Sequence, residues 1–161
     1  MKMRFAFLIL MLLAPLSVAQ ADDDAKAAAS TLDRFHIAAE QADWDTYFSL
    51  MAKKGVFIGT DASERWTKDE FKHYATATKG WTYKVTGRHV VFSDDGNSAW
   101  FDESLTNVKF GACRSTGTLI RENGQWRIAQ YALTFPIPND LADGITQQIQ
   151  VFEERQKAGQ N

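Results

Sequence analysis

The amino-acid sequence predicts an α+β domain: a cone-shaped, strongly bent, mostly antiparallel sheet wrapped around N-terminal helices, plus a C-terminal helix. Three observations support this prediction. Apolar residues recur at helical spacing before Gly80, and the spacing changes to a period of two after it. Two hairpin signals, "SDDGN" and "RENGQ", separate the long period-two segments. A last helical pattern follows the prolines of "FPIPND", so the helices and strands fall into blocks, as in α+β folds.

The helical pattern that opens the domain comes first. Apolar residues recur at i, i+3, i+7 and i+10 from Leu32, which predicts a helix over residues 25–51. Asp43 or Asp45 is expected to cap a restart within this segment. Gly55 is expected to end it in the left-handed conformation that favours glycine, and the apolar "VFIG" then predicts a short strand.

A second helix and the sheet follow. Thr67 and Glu70 form a capping-box pattern, which predicts a short helix from residue 68 to about residue 78. After Gly80 the period-two pattern predicts four strands, over 81–92, 98 to 109 or 110, 113–121 and 125–135. The two prolines of "FPIPND" would end the sheet, because proline cannot donate to the ladder.

The first 21 residues have the pattern of a secretory signal peptide. Lys2 and Arg4 precede the apolar run "FAFLILMLLA", which is too short to span a bilayer, and "AQA" offers small residues for cleavage. We therefore expect an exported protein, periplasmic or secreted, with no membrane association after cleavage. The predicted units are the leader at 1–21, the α+β domain at 22–140 and a C-terminal amphipathic helix with a frayed tail at 141–161.

Charge and cysteine content narrow the function classes. Removing the leader lowers the formal charge from −2 to −4, because 16 of the 18 basic residues and all 20 acidic residues remain. A mildly acidic domain without basic runs is a poor nucleic-acid binder. Cys113 is the only cysteine in the sequence, so it has no partner for an internal disulfide, and we expect a small buried thiol there.

Two adjacent acids, Asp102 and Glu103, lie within the predicted strand "SAWFDESL". Their side chains point to opposite faces of the sheet, so they cannot converge on one substrate as a catalytic pair. Phe101, Glu103 and Leu105 make the more apolar face, and Glu103 is therefore the expected inward acid. We expect it to pair with a basic residue of a neighbouring strand, from the set Arg88, Lys109 and Arg114.

The three histidines, His36, His73 and His89, show no metal-ligand spacing, so neither a metal site nor a cofactor is expected. His89 alone lies on the predicted sheet and could act as an acid or base at the cavity mouth. A single histidine without a placed partner is more often structural. The sequence also lacks a phosphate-binding glycine loop, a GxSxG elbow and a dinucleotide fingerprint.

Aromatic residues favour an apolar pocket. Most of them must fill the core, whereas those around Trp66 and Trp81 lie near loop ends, where they could form the entrance for a small apolar molecule. The candidate pocket residues are Trp44, Phe48, Phe57, Trp66, Trp81, Trp100, Ser115 and Tyr131.

Several motifs resemble the nuclear transport factor 2-like superfamily in its SnoaL-like branch. They are "VFIGTDASERWTKDEF", "GWTYKV", "AWFDESL", "GTLIRENGQWRIAQY" and "LTFPIPND", and the resemblance covers about residues 25–141. It implies a conical α+β barrel, usually a homodimer through the outer face of the sheet. The superfamily includes ketosteroid isomerase, polyketide cyclases, dehydratases and non-catalytic binding or assembly domains, so membership alone does not assign a chemistry.

The resemblance also implies candidate catalytic positions. Members that move protons place an aspartate at or just after the first short strand, and Asp61 is the nearest match. The isomerase's second acid has no counterpart, since Cys113, Ser115 and Gly117 occupy that parity of the matching strand. The candidate acids and bases are therefore Asp61, Asp102, Glu103 and His89, with Tyr131, His89 or Ser115 available to stabilise an enolate.

Three functions remain open on this basis. The first is binding of a small, largely apolar molecule in a conical pocket, which requires an empty cavity. The second is a cofactor-independent isomerase, cyclase or lyase, which requires an inward carboxylate without a basic partner to act as general base. The third is a dimeric scaffold, which requires a working surface on the outer face of the sheet.

Overall fold

The computed structural model describes residues 16–159, with side chains from residue 22 onward. Of the predicted leader, residues 1–15 lie outside this range, and the first helix begins at Leu16. No helix in the described range has a stretch long and apolar enough to cross a membrane. The elements are α1 Leu16–Gln41, α2 Trp44–Leu50, β1 Met51–Ile58, β2 Arg65–Thr67, α3 Lys68–Thr76, β3 Lys84–Phe92, β4 Ser98–Asn107, β5 Gly111–Glu122, β6 Gln125–Thr134 and α4 Asn139–Gly159.

The strands of the described range form one six-stranded mixed sheet in the order β2-β1-β6-β5-β4-β3. Every neighbouring pair is antiparallel except β1 and β6, which run parallel. The last four strands are consecutive along the chain, as expected when short turns connect antiparallel strands. This architecture confirms the predicted α+β class with a mostly antiparallel sheet.

Three local signals, the caps at Asp43 and Thr67 and the Asn-Gly turn, are confirmed. The side chain of Asp43 accepts a hydrogen bond from the backbone of Thr46 and caps α2. Thr67 and Glu70 form the reciprocal capping box at the start of α3. In the turn of "RENGQ", Asn123 and Gly124 both have positive φ, at 53° and 76°, as a tight hairpin between β5 and β6 requires.

The transition from α2 to β1 differs from the prediction. The helix ends at Leu50, one residue before the predicted end, but the strand starts at Met51 instead of Val56, so the left-handed cap expected at Gly55 is wrong. Gly55 lies inside the strand, where an added Cβ would meet the carbonyl oxygens of Ala52 and Ile128 at 3.0 and 3.1 Å. The glycine therefore permits a close approach of β1 to β6, at a register irregularity between Met51 and Val56.

The helices α1, α2 and α3 supply buried residues to the core on one face of the sheet. The alternation along β4 shows which face this is: Phe101, Glu103 and Leu105 are buried, whereas Trp100 and Asp102 are exposed. The strand-parity prediction for the two adjacent acids is therefore confirmed.

The C-terminal helix α4 stands apart from this core. Within the described chain it buries none of its side chains. Its apolar residues Leu141, Ile149 and Phe152 remain 46–62% exposed. The buried side chains of the domain lie between the sheet and α1 to α3.

Candidate functional site

The carboxylate of Glu103 lies at the centre of a buried polar cluster. Its side chain is fully buried and it accepts three hydrogen bonds. The Nε of Arg88 donates to Oε1 at 2.7 Å, and Ser115 Oγ donates to Oε2 at 2.6 Å. Nε2 of His36 lies 2.8 Å from Oε2 and donates there, because an ionised carboxylate can only accept.

Cross-strand register explains this cluster. Glu103 on β4 pairs with Arg88 on β3 and with Ser115 on β5, so the three side chains stand side by side on the inner face of the sheet. His36 reaches the same carboxylate from α1, which packs over that face. The cluster therefore ties α1 to three neighbouring strands.

The guanidinium of Arg88 extends the cluster back to α1. Its Nη1 lies 2.8 Å from Oδ1 of Asp33 and donates to the backbone oxygen of Ala29 at 3.2 Å. Its Nη2 is buried and has no hydrogen-bond partner among the described residues. Arg88 is thus held between a buried acid, Glu103, and a partly exposed one, Asp33.

The pKa of Glu103 follows from these contacts. Burial raises it, but the hydrogen bonds from His36 and Ser115 and the positive charge of Arg88 lower it by more, so the pKa lies below its ordinary value. A general base needs a raised pKa and a free lone pair within reach of a substrate. Glu103 has a lowered pKa and three donors, which is the environment of a structural ion pair.

Tyr131 lies beside the same cluster. Its ring is buried against Phe35 and Phe57, with ring centroids 5.1 and 5.6 Å apart. Burial and the negative charge of Glu103 raise the pKa of its phenol well above the ordinary value, so the phenol stays protonated. Phe57, which packs against Tyr131, also lines an open cavity.

That cavity has a volume of about 380 Å³, within the usual range of small-molecule pockets, about 300–1,000 Å³. It lies between β1, β2, α3 and the segment that leads into β3, and it is bounded by the ends of β5 and β6. Its lining residues are Phe57, Gly59, Thr60, Glu64, Trp66, Phe71, Tyr74, Trp81, Tyr83, Phe110, Leu133 and Phe135.

Near-parallel aromatic rings form one wall of the cavity. The rings of Phe57 and Phe71 stack at 3.8 Å, and Trp66 lies 5.4 Å from Phe71 and 5.2 Å from Tyr74. All three interplanar angles are between 14° and 18°. A second stacked pair, Phe110 and Phe135, completes the aromatic lining at 4.6 Å. Such walls offer flat, apolar surfaces to a flat ligand.

Glu64 is the only charged side chain among the described residues of this lining. It is half-buried, and its Oε2 accepts a hydrogen bond from the backbone N–H of Asp61 at 3.2 Å. No basic side chain of the described chain forms an ion pair with it. The polar part of the cavity is therefore negative.

Three of the predicted pocket residues, Phe57, Trp66 and Trp81, line this cavity. Phe48 is buried in the core, and Trp44 packs against Trp81 with centroids 5.0 Å apart. Neither of these two lines the cavity, nor do the last three: Trp100 is 53% exposed on the outer face of the sheet, and Ser115 and Tyr131 lie at the buried polar cluster.

The predicted acids and bases do not converge on the cavity. Asp61 is exposed and accepts hydrogen bonds from Ser63 within its own turn. Asp102 and His89 are exposed on the outer face and lie 3.1 Å apart. Glu103 points inward, but Arg88 is its partner.

Two further predictions concern cysteine and metal chemistry. Cys113 is buried, and burial raises the pKa of its thiol, which disfavours the reactive thiolate. Among the side chains of residues 22–159, no three of the His, Cys, Asp or Glu type lie together in a way that would hold a metal ion.

Sequence reasoning missed several residues that matter. His36 follows Phe35 on the buried side of α1, at i+4 from Leu32, and this spacing was the available signal for an inward histidine. Tyr74 lies at i+3 from Phe71 on α3, which predicts that the two share a face. Glu64 gave no signal, because the strand β2 that positions it lies in a segment predicted as a loop.

Comparisons with known proteins agree with the fold. No curated protein sequence matches the chain. A protein of unknown function from Mycobacterium tuberculosis has a similar structure, with a TM-score of 0.63, 17% identity, and coverage of 78% of this chain and 79% of that chain. A protein named as a scytalone dehydratase from Novosphingobium aromaticivorans is also similar, with a TM-score of 0.64 and 11% identity. The match covers 74% of this chain and 89% of that chain.

A nuclear transport factor 2-like protein of unknown function from Pseudomonas putida is also similar, with a TM-score of 0.60, 14% identity and coverage of 75% and 90%. At these identities the structural likeness shows a shared fold and no shared chemistry. The sequence model of the SnoaL-like domain matches residues 28–138, from α1 to the prolines after β6. The chain therefore belongs to the SnoaL-like domain family, and it shares its fold with the nuclear transport factor 2-like protein.

Proposed function

We propose that this protein binds a small, flat, largely apolar molecule in the cavity between α3 and the end of β6. The observation that carries the proposal is the near-parallel wall of Phe57, Trp66, Phe71 and Tyr74 beside about 380 Å³ of open space. A flat ring inserted along this wall would bury its faces against apolar surface, which is the main source of affinity for such ligands.

The packing of the wall favours a preformed site. Phe57 and Phe71 are 7% and 1% exposed, so the domain core fixes their rings before any ligand arrives. Side chains that are already ordered lose little conformational freedom on binding, and this preorganisation raises affinity. The leader-like N-terminus supports binding outside the cytoplasm as a further part of the proposal.

The position of the acids favours binding over carboxylate-based catalysis. Asp61 and Asp102 are exposed, and Glu103 is ion-paired with Arg88 and does not line the cavity. The one carboxylate that lines the cavity within the described residues is Glu64. Glu64 is inward and has no basic partner among the described residues, but the groups expected to stabilise an enolate, Tyr131, His89 and Ser115, do not line the cavity with it. Binding requires none of these groups.

The proposal is tested by calorimetric titration with 2-naphthol, a flat bicyclic probe, against decahydro-2-naphthol, its saturated and non-planar analogue. We expect heat of binding for 2-naphthol and at least about tenfold weaker binding of the saturated probe, since only the flat ring matches the parallel wall. Absence of 2-naphthol binding, or equal binding of the two probes, would contradict the proposal.

A pair of variants on β6 locates the site. Leu133→Trp fills the cavity from the inner face, whereas Thr134→Trp adds the same side chain on the outer face, next along the strand. We expect Leu133→Trp to weaken 2-naphthol binding at least about tenfold and Thr134→Trp to leave it unchanged. Circular dichroism and urea unfolding check that both variants are folded, and unchanged binding by a folded Leu133→Trp would place the site elsewhere.

A further inference from the structure

We propose that the cavity selects ligands that carry a positive charge, namely a protonated amine attached to a flat apolar ring. This inference rests on the proposed function, because it names the class of molecule that the same cavity takes. It is carried by the half-buried carboxylate of Glu64, by the absence of basic lining residues in the described chain, and by the aromatic rings around them.

The backbone holds Glu64 in place at the cavity. Residues 59 and 64 are joined by a hydrogen bond from the Gly59 N–H to the Glu64 carbonyl, 2.8 Å long. The side chain then folds back so that Oε2 accepts from the Asp61 N–H. A Cβ on Gly59 would lie only 2.1 Å from this oxygen, so the glycine makes room for the carboxylate.

The carboxylate lacks the counter-charge that buried acids usually have. No Lys, Arg or His appears among the described residues that line the cavity. The nearest basic residue in sequence, Arg65, lies next to the inward Trp66 on β2 and is exposed, because neighbouring residues of a strand point to opposite faces. A ligand ammonium would supply a partner of opposite charge for this half-buried carboxylate.

Lys109 is a basic group close to the lining, and it is not among the residues that line the cavity. Its Nζ lies 4.8 Å from the centre of the Phe110 ring. Phe110 lines the cavity, whereas Lys109 does not. This contact shows that an aromatic ring of the rim already accepts an ammonium group. Trp66, Tyr74 and Trp81 also line the cavity, and a ligand cation that met the face of one of these rings would gain the same attraction.

The charge of the ligand should therefore change its affinity in a set order. An ammonium gains the attraction of Glu64 and of the aromatic rings, a neutral hydroxyl gains neither, and a carboxylate is repelled by Glu64. We expect the ammonium to bind about five- to thirtyfold more tightly than the neutral probe, and the carboxylate more weakly than both.

The test compares three probes of one shape by calorimetric titration of the full chain at neutral pH and low ionic strength. They are 2-naphthylmethylamine, which is protonated, 2-naphthylmethanol, which is neutral, and 2-naphthoate, which is an anion. The variant Glu64→Gln removes the charge at the cavity, and Glu154→Gln makes the same change on the exposed helix α4 as a matched control.

The expected result is the order ammonium, alcohol, carboxylate in the wild type and in Glu154→Gln, with the preference for the ammonium lost in Glu64→Gln. Equal binding of ammonium and alcohol, tighter binding of the carboxylate, or a preference that survives in Glu64→Gln would overturn this inference and leave the proposed binding site standing. Failure of all three probes to bind would overturn both.

Discussion

Two carboxylates in this domain have opposite surroundings. Glu103, in the buried cluster, is fully enclosed and has an arginine, a histidine and a serine as donors. Glu64, at the cavity, is half-buried and receives only a backbone N–H among the described donors. The more deeply buried acid therefore has the more complete set of hydrogen-bond donors. Glu64, which has no ion-pair partner among the described residues, is therefore the acid available to interact with a ligand.

Removing the satisfied acid should have the largest effect on stability. Glu103→Ala leaves Arg88 buried with only Asp33 as its ionic partner, and breaking a buried pair in this way costs about 3–5 kcal/mol. The free energy of unfolding in urea measures the loss. The matched control is Asp102→Ala, the neighbouring acid on the exposed face, for which we expect a change within about 0.5 kcal/mol. Similar losses in the two variants would break the contrast between the faces.

Acid should weaken the buried cluster in a predictable direction. Because the pKa of Glu103 is lowered in the folded state, its charge stabilises the fold above the ordinary pKa of 4.5. This contribution is lost as the pH falls through the lowered folded value, by about 1.4 kcal/mol for each unit between the two pKa values. We therefore expect wild-type stability to fall more steeply below pH 4.5 than that of Glu103→Gln.

The same pH experiment separates Glu103 from the exposed acids. The pKa values of Asp43, Asp61, Glu70 and Asp95 are also lowered, by hydrogen bonds within their own turns and caps. These acids are present in both proteins, so their contributions cancel in the difference between the two stability curves. Parallel curves for wild type and Glu103→Gln from neutral pH to pH 3 would contradict a lowered pKa at Glu103.

Neutralising the unsatisfied acid should have the smallest effect on stability. Glu64→Gln keeps the shape of the side chain and an oxygen that can accept from Asp61 N–H, and it removes a charge that has no partner in the described chain. We expect the free energy of unfolding to change by less than about 0.5 kcal/mol, in contrast to the Glu103 variants. A loss above about 1 kcal/mol would show that Glu64 serves the fold instead of a ligand.

The sequence predicted what depends on short-range periodicity. Alternation along "SAWFDESL" gave the inward direction of Glu103, and the neighbouring strands supplied Arg88 as one of three expected partners. The capping box at Thr67 and the Asn-Gly turn at 123–124 were likewise readable, because the contacts that define them lie within a few residues.

Features that depend on distant pairings were not predictable. The end of α2 and the start of β1 at Met51 are set by the parallel pairing with β6, which overrides the helical pattern. Glu64 faces the cavity because the short strand β2 pairs with β1, and Phe110 meets Phe135 from two separate strand ends. The contact of His36 with Glu103 depends on how α1 is rotated over the sheet, and tertiary packing decides that rotation.

The parallel pairing of β1 with β6 also has a consequence for how the domain is made. Val56 pairs with Gln130, so the first long strand finds its second neighbour only after the rest of the sheet has been synthesised. We expect the local hairpins from β3 to β6 to form early and this long-range closure to come late. Phe57 on β1 and Leu133 on β6 both line the cavity, so the binding site would be completed with that closure. A ligand of this cavity would bind the native state much more tightly than partly folded states. It would therefore shift the folding equilibrium toward the native state.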